Sequence, residues 1–85
     1  MSKRQALMEL FEIAETMEDI RFILLTVKHE EYPEAEIIAV PKANFDLKAQ
    51  YILNSYTDNL ELKNCKDIKI LCVQLVNNKG EIIND

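Results

Sequence analysis

Apolar residues recur along the first part of the chain at Leu7, Leu10, Phe11, Ala14 and Met17, the three-and-four spacing of one helical face. Ser2 followed three residues later by Gln5 has the form of a capping box, so a helix is expected to open there. At about 100° per residue, Glu9, Glu12, Glu15 and Asp19 fall within an arc of roughly 120° on the opposite side. This helix is amphipathic and anionic outward, and Met8 lies inside the acidic arc. The next segment, Ile20 to Lys28, is rich in β-branched and large apolar residues and reads as a strand. Period-two alternation puts Ile23, Leu25 and Val27 on one face and Phe22 and Leu24 on the other. His29 to Glu34, with Pro33, forms a polar turn, and Glu36 to Val40 forms a second strand stopped by Pro41.

Asn44 is in position to cap a second helix from Phe45 to about Leu62, with Asp46 in its first turn and Lys63 at its end. Its core stripe is Phe45, Ala49, Ile52, Leu53, Tyr56 and Leu60, and Leu47, Tyr51 and Leu62 make a second, smaller apolar strip. Ile68 to Val76 is a third strand, with Leu71, Val73 and Leu75 on one face and Ile68, Ile70, Cys72 and Val76 on the other. Asn77 to Gly80 then turns the chain, Gly80 supplying a positive φ, and Glu81 to Ile83 can return as a short edge strand.

The order is αββαβ with room for a final β, and residues 1–85 make a single small α+β domain. The hairpin makes the first two strands antiparallel. A crossover through the second helix makes the second and third parallel, which gives a small mixed sheet with both helices packed on one face. Two helices do not cover both faces of such a sheet. The face carrying Phe22, Leu24, Ile70 and Cys72, with the strip Leu47, Tyr51 and Leu62, is therefore expected to bury itself by self-association, most simply as a two-fold homodimer. A sheet curled round its helices would leave a monomer.

Composition narrows the classes. With 85 residues, 48% hydrophobic and 29% charged, the chain can fold but holds little more than one core. One glycine excludes multi-glycine phosphate loops, and apolar runs such as Phe22–Leu25 fall far short of the ~20 residues that a membrane helix needs. The start of the chain lacks the apolar block of a signal peptide, so a cytoplasmic setting with Cys65 and Cys72 as reduced thiols is expected. The net charge of -5 is not evenly spread: residues 1–36 carry nine acids against four bases, and residues 37–85 carry six of each. Direct nucleic-acid binding is disfavoured by this balance, while a basic protein partner is permitted. Solubility alone would also account for it.

Candidate chemistry is thin. His29 is the single histidine, and Cys65 and Cys72 lie too far apart in sequence for a zinc knuckle, so no metal, cofactor or catalytic residue is assigned. Cys72 is expected to bury as a small hydrophobe and Cys65 to lie in an accessible loop. Glu30, Glu31, Glu34 and Glu36 lack the alternation and central glycine of a calcium loop, and His29 among them reads as a solvated turn.

The stretch from Pro41 to Asp46 and on to Asn59–Lys63, followed by Ile68–Ile70, resembles a segment of small uncharacterised proteins encoded by phages and prophages of low-GC Gram-positive bacteria. The likeness covers about half the chain and implies an origin and a cytoplasmic setting, the host's if phage-encoded, rather than an activity. The expectation is an interaction module, not an enzyme. It would engage a protein through the acidic surface of Glu9, Glu12, Glu15, Asp19, Glu30, Glu31 and Glu34, as an inhibitor or nucleic-acid mimic. The alternative is an assembly subunit that homo-oligomerises through its sheet face, and a small enzyme using His29 or Cys65 is the third reading.

Overall fold

A computed structural model describes residues 1–83 and contains two helices and a five-stranded sheet. The first helix, α1 (Lys3–Thr16), opens as its sequence dictates. Ser2 Oγ accepts from the Gln5 amide at 3.1 Å, and Gln5 Oε1 accepts from the Ser2 amide at 3.0 Å. Its buried residues are Leu7, Phe11 and Ala14. The chain turns at Glu18–Asp19, where Asn78 donates to both carbonyls, and continues into β1 (Ile20–His29).

A turn joins β1 to β2 (Glu36–Pro41), and a short 3-10 turn (Lys42–Asn44) leads into α2 (Phe45–Ser55). That helix is shorter than its periodicity suggests. Tyr56 is already extended, and the Thr57 hydroxyl accepts from the amides of Asn59 and Glu61, each at 3.3 Å. Thr57–Asp58–Asn59 is a run of side chains that compete with helical backbone bonds, and here they win. Leu60 takes φ 63, a costly conformation for a leucine, and is held there by burial of its side chain and by the Ile70 amide, which donates to its carbonyl. Glu61–Leu62 forms β3, and β4 (Cys65–Asn77) runs back along the sheet to a turn and β5 (Ile82–Ile83).

The strand order is β2-β1-β4-β3, with β5 also against β4, and every pair is antiparallel. The second and third long strands do point the same way, but β1 lies between them. The expected parallel pair is therefore absent, and the sheet is antiparallel rather than mixed. Both helices lie on one face. Their core includes Ile23, Leu25 and Ile52, all fully buried, and an edge-to-face contact of Phe11 with Phe45 at 5.6 Å.

The faces of β4 differ from simple alternation because of a bulge. Thr26 lies opposite Cys72 and Val27 opposite Ile70, so Leu71 is an extra residue. Ile70 is thereby turned to the core side and buried, and only Cys72 of that expected pair stays on the uncovered side, where it is exposed. Cys65 is half-buried at the start of β4, the reverse of the expected order of the two thiols. Gly80 has φ 81 and, among the described residues, open space where a side chain would begin, so its backbone conformation alone demands glycine.

Candidate functional site

Two broad surfaces stand out among the described residues. The first is the outward side of the helical layer, where Glu9, Glu12 and Glu15 are exposed. The Phe11–Phe45 contact brings the next residues of each helix together. Glu12 and Glu15 of α1 and Asp46 and Gln50 of α2 consequently rim a groove of about 240 Å³ whose floor is Met8, Phe11, Ala49 and Leu53. Met8 is half-buried and Leu53 remains 40% exposed, so apolar surface lies open between carboxylates. Asp46 reads from the sequence as a helix-dipole residue, and its place in this rim follows only from how the helices pack.

The hairpin acids do not join that array. Ten strand residues, roughly 33 Å of chain, separate the end of α1 from the turn. Glu30, Glu31 and Glu34 are exposed at the far end, with Glu30 Oε1 3.5 Å from Lys69 Nζ and its amide on the Asp67 carbonyl. Asp19 sits in the turn after α1, where its carbonyl accepts from the Asn78 amide. The seven acids thus divide into two separate groups.

In the same turn, His29 Nδ1 accepts from the Glu31 amide at 3.1 Å, and the ring lies against Tyr32. Lys28 Nζ donates to the carbonyls of His29 and Tyr32. The histidine therefore orders the turn, and Glu30 faces Lys69 rather than the imidazole. Among the described residues, no group of three or more His, Cys, Asp or Glu side chains is placed to hold a metal ion.

The second surface is the sheet face that no helix covers. Phe22 and Leu24 of β1 are half-buried there, beside Ile37 (66% exposed) and Ala39 of β2, Cys72 of β4 and Ile82 of β5. Arg21 stacks over the Phe22 ring at 5.4 Å. Ile37, Ala39 and Ile82 belong to this face by register, although the sequence reading did not place them there. The second strip expected on α2 is broken up. Leu47 and Tyr51 stay exposed beside β2, with Lys48 Nζ 4.8 Å from the Tyr51 ring, whereas Leu62 lies in β3 and packs on the core. No protein-family model, no curated protein and no solved structure matches the chain.

Proposed function

We propose that the chain is a protein–protein interaction module that receives a basic, amphipathic segment of a partner on its helical face. The observation that carries this reading is the groove in which Met8 and Leu53 lie open between Glu12, Glu15 and Asp46. Apolar anchors would enter the floor while lysines or arginines meet the rim, the pattern by which an amphipathic helix occupies a groove. A nucleic-acid mimic would call on one continuous carboxylate array, so the split of the acids favours a compact docking groove over a long charged surface. The reading includes a cytoplasmic setting and a phage or prophage origin, which the genes flanking this one would test.

The direct test is titration with an amphipathic peptide of alternating lysine and leucine turns, using the wild-type chain and a Glu12→Lys, Glu15→Lys, Asp46→Lys variant. Binding should weaken several-fold between low and physiological salt, and more than tenfold in the variant. Equal affinity in both proteins would overturn it.

The uncovered sheet face supports a second, compatible reading: two copies associate face to face about a two-fold axis. A standard interface takes about 800 Å² per partner. That is roughly one-seventh of the 5720 Å² surface of the chain, within reach of one sheet face. Sedimentation over a wide concentration range tests it. A monomer at millimolar protein would remove it.

A further inference from the structure

We propose that the outer edge of β4, between its pairings with β3 and β5, is a docking site for an extended, acidic segment of a partner protein, which adds a strand there. The site is distinct from the helical-face groove and borders the uncovered sheet face at Cys72, and the proposal stands without either reading. β4 outruns its neighbours on that side. β3 pairs as far as Lys69, the Ile70 amide donates to the Leu60 carbonyl at 3.0 Å, and the described part of β5 ends with Ile83 opposite Leu75. Among the described residues, Leu71–Gln74 has β1 on its inner side and nothing on its outer side.

The direction of the backbone can be read from its neighbours. The Asn77 amide donates outward to the Glu81 carbonyl at 2.9 Å, and outward groups recur every second residue, which turns the amide and carbonyl of Val73 to the same open side. An open groove of about 380 Å³ runs beside this stretch. Five consecutive residues, Lys69 to Val73, line it. Successive side chains of a strand point to opposite faces, so such a lining belongs to a groove along the edge rather than over one face. Its other wall includes Leu7 and Leu10 of α1, and the bulge residue Leu71 stands 58% exposed beside it.

Two features specify the occupant. Unpaired backbone groups beside an apolar wall are satisfied by another extended chain, as in strand addition. The charged residues of the lining are Lys3 and Lys69, with no carboxylate; Lys69 Nζ also lies 3.5 Å from the exposed Glu30, a solvent-screened pair for which an incoming carboxylate would compete. An edge protected only against aggregation would carry charge in its open stretch. Here Leu71, Cys72 and Val73 are uncharged, and the lysines flank the groove. Four residues span roughly 14 Å, so an acidic pentapeptide of alternating valine and threonine with glutamates at both ends is a suitable probe.

Titration of the full chain with that peptide, followed by amide NMR, should shift Leu71–Gln74 and the first turns of α1 and slow hydrogen exchange at Val73. N-methylation of alternate peptide amides should lower affinity at least tenfold, and Lys3→Glu with Lys69→Glu several-fold. Each of these results overturns the proposal: no binding at millimolar peptide, equal binding of the N-methylated peptide, shifts confined to the uncovered sheet face, or protection of Val73 that grows with protein concentration when no peptide is present. The last would assign the edge to a second copy. Binding gained only on removal of residues 84–85 would assign it to the chain's own end and also overturn it.

Discussion

The two faces of the central strand differ in cover far more than in chemistry. Ile23 and Leu25 point toward α1 and α2 and are fully buried, whereas Phe22 and Leu24, their neighbours along the same strand, are only half-buried. All four side chains are large and apolar, and each would gain about 1.5–3 kcal/mol from complete burial. The closed face obtains that stabilisation from within the chain. The other obtains part of it from Arg21, Val76 and the adjacent strands, and the remainder is available to a partner. Two apolar faces in one strand therefore reveal a demand for cover without revealing what supplies it.

The largest test of this contrast is truncation on either side. Leu25→Ala should cost about 2–5 kcal/mol in urea unfolding, because the site is closed by helices that relax only partly into the cavity. Leu24→Ala, measured at a dilution that keeps the chain monomeric, should cost less than half as much. Equal losses would mean that the faces are equivalent in solution. The next largest effect concerns association. Ile37→Lys with Ile82→Lys, both at exposed positions of that face, should weaken self-association at least tenfold, about 1.4 kcal/mol, while leaving monomer stability within roughly 0.5 kcal/mol. Alkylation of the exposed Cys72 should slow as wild-type protein is concentrated and should not slow in the variant.

The sequence announces those parts of this contrast that depend on near neighbours. The Ser2–Gln5 capping box, the alternation of Ile23 and Leu25 with Phe22 and Leu24, and the positive φ at Gly80 are local, and each is found where its residues put it. The end of α2 was also locally encoded, in Thr57–Asp58–Asn59, but Leu60 and Leu62 continued an apolar period that masked it. The bulge at Leu71 and the resulting turn of Ile70 to the core were not legible, since an extra residue shows only when two strands are paired. For the same reason the groove among Glu12, Glu15 and Asp46 was half visible. One rim is periodic in α1, and the other depends on Phe11 meeting Phe45.

A smaller perturbation acts on the cover of the closed face. Ser2→Ala removes the hydroxyl that accepts from Gln5 and should cost about 1 kcal/mol. Asn44 precedes α2 without any side-chain cap hydrogen bond, so Asn44→Ala should lie near zero. Thermal unfolding of the two variants side by side checks the difference. Comparable losses would indicate that α1 is not secured by its cap but by packing alone.

The smallest effect is a pH dependence confined to the closed face. Burial, and secondarily the neighbouring Tyr51, hold the Tyr56 phenol above its ordinary value of 10.0. An unfolded chain releases that proton near pH 10 while the folded chain retains it. The stabilisation is therefore complete below pH 10, and it declines as pH rises from there through the folded value. Tyr56→Phe should remove this part of the decline, so the stability difference between the two proteins should change with pH only in that alkaline range. A slope that survives Tyr56→Phe unchanged would place its source away from the helices that seal the core.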